Sequence, residues 1–136
     1  MEYYKLVAVS GLSGLFELLS SKTDGAIVRG LDDGQTRFAA NRSHQFSHLE
    51  SIEVFTQGEN TNLIEVFQAM DKAGRALPNE KDPAAVKSYF QSVYPQFDFE
   101  RVYASDLKKM IRWFAALKKH EVELKLSEQE SAESND

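Results

Sequence analysis

Ala26–Ala40, AIVRGLDDGQTRFAA, is the stretch whose reading decides the front of the chain. Two runs rich in β-formers, Ala26–Leu31 and Gln35–Ala40, flank Asp32-Asp33-Gly34. Asp closes turns through bonds to its own backbone and Gly supplies positive φ, so this is a hairpin signal. With Gly34 in the left-handed position of a three-residue loop, Val28 faces Phe38 and Arg29 faces Arg37. A two-residue Asp33-Gly34 turn gives a different register, and a one-residue slip would exchange the two faces.

Working outward, Tyr4–Ser10 and Leu15–Ser21 read as strands on either side of Gly11-Leu12-Ser13-Gly14, a glycine-permitted bend. Downstream, Ser43–Leu49 reads as a polar connector with Phe46 and Leu49 as core plugs, and Ile52–Thr56 as a closing strand. Short strands at this spacing predict an α+β protein. Its residues 1–60 form a small SH3-like antiparallel β-barrel, with an open meander packed on a helix as the competing arrangement.

The period changes after Gln57. Asn62 begins a capping-box-like start with Glu65, and Leu63, Val66, Phe67 and Met70 make a helical stripe ended by Gly74. Residues 61–81 are thus expected to be a linking helix and loop, with the domain boundary at Arg75–Lys81. Asp82-Pro83 opens a second helix that Pro95 ends, the start of a helical domain over 82–126. Gln96–Tyr103, QFDFERVY, is a helical turn or an extended link carrying Phe97, Phe99, Val102 and Tyr103 inward.

The most legible helix is Ser105–His120, SDLKKMIRWFAALKKH, with Ser105 as N-cap and Asp106 at the positive end of the dipole. Leu107, Met110, Phe114 and Leu117 fall on one face, and Lys108, Arg112 and Lys119 on the opposite one, with Lys109 beside them. Val122–Leu126 continues this helix or frays, and residues 127–136, SEQESAESND, read as a disordered acidic tail.

Net charge is −5, unevenly spread: −3 over residues 1–60, +2 over 61–126 and −4 over 127–136. There is no cysteine, which excludes disulfides and thiolate metal sites. The first residues lack a basic leader with a long apolar run, and no window reaches the ~20 apolar residues of a membrane span. The expected setting is the cytoplasm, away from membranes.

Several segments together resemble a known family: SGLSGLFELLS, IVRGLDDGQTRFAA and SHLESIEVFT in front, then DPAAVKSYFQSVYPQFDFERVYASDLKKMIRWFAALKK behind. They are similar to an uncharacterised bacterial family made of two consecutive domains of unknown function. The resemblance covers the chain except its acidic tail. It implies a small β-domain followed by a helical domain, and it brings no catalytic residues.

Residue by residue, chemistry is thin. Gly11-Leu12-Ser13-Gly14 has the bare spacing of a phosphate-clamping loop, but strands flank it and no Lys-Ser/Thr ending follows. His44 and His48 with Glu50 would suit a metal only on a firm helix, which the surrounding residues do not predict. Asp24, Asp32 and Asp33 are explained by turn chemistry. No nucleophile or acid–base set is assembled, so the expectation is a non-enzymatic protein with no cofactor and no metal.

The positive feature is Lys108, Lys109, Arg112 and Lys119, aided by Arg29 and Arg37. These predict weak nucleic-acid binding through phosphates, with little sequence preference. The rival is a protein–protein adaptor using the barrel or a groove beside the helices. The four acids of the tail are tethered near the lysines, so they are expected to compete with an external polyanion.

Overall fold

The computed structural model describes residues 1–126. The acidic tail expected at 127–136 lies outside them. The described chain divides into two compact units: residues 1–51 together with residues 116–126, and residues 52–115.

The front unit is built on an antiparallel sheet of five strands: β1 (Leu6–Val9), β2 (Phe16–Lys22), β3 (Gly25–Gly30), β4 (Thr36–Ala40) and β5 (Phe46–His48). Their order is β4-β3-β2-β1-β5, so the sheet is open, with β4 and β5 at its edges. Alternation makes one face apolar. Val7, Val9, Phe16, Ala26, Val28 and Ala39 form its buried core, with Leu12, Leu18 and Phe46 packed against them.

The fifth strand differs from the expected one. Phe46–His48, read as connector, pairs with β1 through Val9↔Phe46 and Val7↔His48. Leu49 is fully buried in the 3-10 turn that follows, Leu49–Ser51. The β-rich run at Ile52 instead supplies β6 (Glu53–Val54), which pairs with β7 (Thr61–Asn62) in the rear unit.

The hairpin register also differs. Val28 lies opposite Arg37, Ile27 opposite Phe38 and Arg29 opposite Thr36. Leu31 leaves the strand and is buried at 6% exposure, lengthening the loop to Leu31–Gly34. Gly34, at φ +69, donates its N–H to Gly30 O at 2.9 Å and closes that loop. Asp33 accepts from Gln35 N at 2.9 Å, and its carboxylate occupies the space where a Gly30 side chain would stand.

In the rear unit, β6 and β7 lead into α1 (Leu63–Ala73), and α2 (Pro83–Val93) follows. Asn62 caps α1 through Ile64 N at 2.9 Å, and Gly74 ends it in the left-handed region. Leu63 N donates to Ile52 O at 2.9 Å, which ties the β6–β7 pair to the start of α1. The division therefore falls at Ser51/Ile52 rather than at residue 60 or within Arg75–Lys81. Leu63, Ile64, Val66, Phe67 and Met70 are all buried, so α1 is part of the rear core and not a linker. Asp82 caps α2 through Ala85 N at 3.2 Å, with Pro83 in the first turn.

Gln96–Tyr103 forms a bridge and a turn around Phe97, which is fully buried. Its ring meets Phe90, Tyr94 and Phe99 edge-on, at centroid distances of 5.6, 5.0 and 5.7 Å. Such arrangements contribute beyond their buried area. Tyr103, expected inward, points out at 65% exposure.

α3 runs Ala104–Lys119. Its N-cap position belongs to Tyr103 rather than Ser105: Asp106 reaches back to accept from Tyr103 N at 3.0 Å, one arm of a capping box. Leu107, Met110, Ile111, Phe114 and Leu117 are buried, as the 3.6-residue period requires.

The helix ends in a Schellman motif instead of continuing. Val122 N donates to Leu117 O at 2.9 Å and Glu121 N to Lys118 O at 3.2 Å, with Glu121 at φ 55. Leu117 and Val122 are both buried, the apolar contact expected of this cap. Glycine takes that φ without the side-chain penalty. Glu121→Gly should therefore raise stability by about 1 kcal/mol, read as a shift in denaturant midpoint. A destabilised variant would mean that the glutamate side chain compensates the strain.

Candidate interaction surfaces

Arg29 and Arg37, singled out together above, do not share a face of the front sheet. Successive residues of a strand point to opposite faces. Arg29 pairs in register with Thr36, so Arg37 lies on the other face of the sheet from Arg29. Arg29 is also engaged: its Nη2 donates to Glu17 Oε1 at 2.9 Å across β2 and β3. An exposed pair of this kind contributes about 1 kcal/mol or less, but it does neutralise the guanidinium locally. Arg37 is exposed and has no ion pair among the described residues.

On α3, Arg112 is bound to Glu80 through Nε. Lys108 is half-buried and Lys109 exposed, neither with an acid partner among the described residues. Lys119 is exposed in the last turn, in the part of the chain that groups with the front unit. The stripe read from the sequence thus keeps three lysines and loses its arginine to an internal pair.

The front sheet presents a different feature. Position 35 turns its backbone toward β3, since Gly30 N donates to Gln35 O at 3.0 Å. Position 41 does likewise, since Asn41 N donates to Asp24 O at 2.8 Å. The alternation between them fixes the rest: Arg37 and Ala39 bond inward to β3, while Thr36, Phe38 and Ala40 turn their N–H and C=O outward. Ala40 O is taken by Ser43 N at 3.1 Å and His44 N at 3.0 Å. Thr36 and Phe38 have no backbone partner on that side among the described residues, and both are exposed, Phe38 at 46%. Sequence reasoning missed Phe38 because the expected register set it against buried Val28.

The rear unit carries a second exposed aromatic, Phe55, at 41%. The Arg101 guanidinium stacks on it at 4.5 Å, while Arg101 Nε donates to Asp98 Oδ2 at 2.8 Å. Asp98 N donates to Phe55 O at 3.1 Å. The Arg101 hydrogen bond, then the bond from Glu100 N, hold the Asp98 carboxyl below its ordinary value. A depressed pKa means that this turn is stabilised above the ordinary aspartate range and loses that support as pH falls through the lower value. A carboxyl titration followed by NMR should place the Asp98 midpoint below that of an ordinary aspartate, and Arg101→Ala should move it back up. An unchanged midpoint in the variant would contradict this assignment.

No catalytic set emerges around the remaining polar groups. His44 Nδ1 lies 2.7 Å from Ser10 O, which orients the ring over the Gly11 turn. Among the described residues, no group of three or more His, Cys, Asp or Glu is placed to hold a metal. Burial raises the Tyr89 phenol above its ordinary value, with Arg75 opposing in part, so it stays protonated at neutral pH. No helix of the described residues is long and apolar enough to cross a membrane.

Comparison with known proteins agrees with this two-part organisation. No curated protein matches the chain. A protein from Bacteroides vulgatus, a structural-genomics target solved by solution NMR, shares 28% identity over 83% of both chains, with a TM-score of 0.65. Two family models match in succession, "Domain of unknown function (DUF5606)" over residues 4–49 and "Domain of unknown function (DUF6852)" over residues 52–117. Their junction falls at the boundary between the two compact units. The chain therefore belongs to the proteins built of these two consecutive domains of unknown function, a DUF5606 domain followed by a DUF6852 domain.

Proposed function

We infer that the chain is a non-enzymatic binding module that holds other proteins, an adaptor whose contact surface is the front sheet. The observation that carries this reading is the β4 edge, where Thr36, Arg37 and Phe38 are exposed and the outward backbone groups of Thr36 and Phe38 have no partner among the described residues. Exposed edges are normally blunted by charge or covered, because they pair with other strands. The strand order, with β5 returning beside β1, supports assigning the front unit to the SH3-like rolls. A chain without cysteine suits a reducing, cytoplasmic setting. The test is a pull-down with the full chain from nuclease-treated lysate. A protein retained by the chain and lost with Phe38→Ala is the expected result; retention of nothing once nucleic acid is digested overturns the reading.

Nucleic-acid binding is the second reading, favoured by Lys108, Lys109 and Lys119, which have no acid partner among the described residues. It is weak and unspecific, since phosphate contacts position without selecting sequence. Arg112 and Arg29 would contribute only by leaving Glu80 and Glu17. Titration with single-stranded and duplex DNA and RNA at two salt concentrations tests it, and absence of binding at low salt removes it. If residues 127–136 compete for the same lysines, their deletion tightens the binding of a polyanion; unchanged affinity removes that competition.

A further inference from the structure

We propose that β4 accepts an extended acidic peptide of a partner protein as an added strand, with acidic side chains at every second position. This deepens the adaptor reading and rests on it. Thr36 and Phe38 offer the peptide one N–H and one C=O each, and Ala40, already bonded to the following turn, marks where the added pairing stops.

Charge selects the occupant. Residues 34–49, which contain both edge strands, hold Arg37 and Arg42 and no Asp or Glu, in a chain whose net charge is −5. Both arginines are exposed and without an ion pair among the described residues. A second copy of the chain pairing β4 to β4 would bring two such arginine sets together, and like charges across strands repel. An acidic strand meets the opposite charge. Arg37 projects from one face of the sheet and Phe38 from the other, beside Ile27. A neighbouring strand alternates in the same way. The recognised pattern is therefore alternating: acidic residues on the Arg37 side, apolar ones on the Phe38 side.

The test uses the full chain, labelled for NMR, and three capped hexapeptides: alternating valine and glutamate, the same residues in two blocks, and alternating valine and lysine. The alternating acidic peptide should shift the Thr36 and Phe38 amides, slow their exchange, and bind about tenfold more tightly than the block peptide. Arg37→Glu should lose that preference and take the lysine peptide instead. Equal binding of the block peptide would reduce the effect to general electrostatics and overturn the proposal, as would perturbations that leave β4 untouched. The readout is local to two amides and the probe is synthetic. A negative result beside a partner that the pull-down retains and that Phe38→Ala loses therefore overturns the acidic added strand alone and leaves the adaptor reading in place.

Discussion

Phe97→Ala should destabilise the rear unit, residues 52–115, by about 3–5 kcal/mol, a large share of the total of about 5–15 kcal/mol held by domains of ordinary size. Phe97 is fully buried and its ring contacts three other aromatics, one on α2, one at its end and one in the turn beyond. It is also the residue through which this turn bridges to Thr56, and the adjoining Gln57 N donates to Gln96 O at 2.9 Å. Removing the ring leaves a cavity that these neighbours can only partly fill, because each is held from its own element. The comparison is Phe99→Ala, where a half-buried ring at the rim of the same cluster is lost at smaller cost. Denaturant midpoints followed by helical circular dichroism rank the two. Equal effects would show that Phe97 is not the centre of this core.

Gly25→Val should destabilise the front unit by about 2–3 kcal/mol and disrupt the β3–β4 hairpin in particular. A Cβ at Gly25 would collide with the backbone oxygen of Ala39 and with the tip of the Phe38 ring. The ring can rotate away, but the carbonyl belongs to the ladder between β3 and β4 and cannot. Gly34→Ala separates this collision from backbone strain. Gly34 sits at φ +69 with open space around it, so its substitution costs about 1 kcal/mol and breaks no contact. Loss of cross-strand contacts between β3 and β4 in the first variant and their retention in the second is the expected NMR result. A Gly25→Val protein with an intact hairpin would contradict the close approach.

Much of this architecture was legible from local rules, and the exceptions have physical causes. The caps at Asn62, Asp82 and Gly74 and the buried stripes of α1 and α3 follow from residues within one or two turns of each other, where helix chemistry is local. The fifth strand was not legible. Phe46–His48 is short and polar, and only its register with Val7 and Val9, nearly forty residues earlier in the chain, makes it a strand. Ile52–Thr56 has the better β composition but pairs with Thr61–Asn62 behind it. The hairpin turned on Leu31, whose burial lengthens the loop by one residue and moves Arg37 to the face opposite Arg29. The basic stripe of α3 was visible as a pattern, but Glu80, which takes up Arg112, lies 32 residues away in sequence. The surface put forward instead, an open strand edge, has no compositional signature. It depends on which strand ends up last in the sheet.

Amide hydrogen exchange along β4 in the free, monomeric protein tests that surface most directly. The inward-bonded amides of Arg37 and Ala39 should be protected, while those of Thr36 and Phe38 exchange at rates close to those of an unprotected chain. Protection of all four amides to the same degree would mean that the outer side of β4 is already covered, and that no partner strand can dock there.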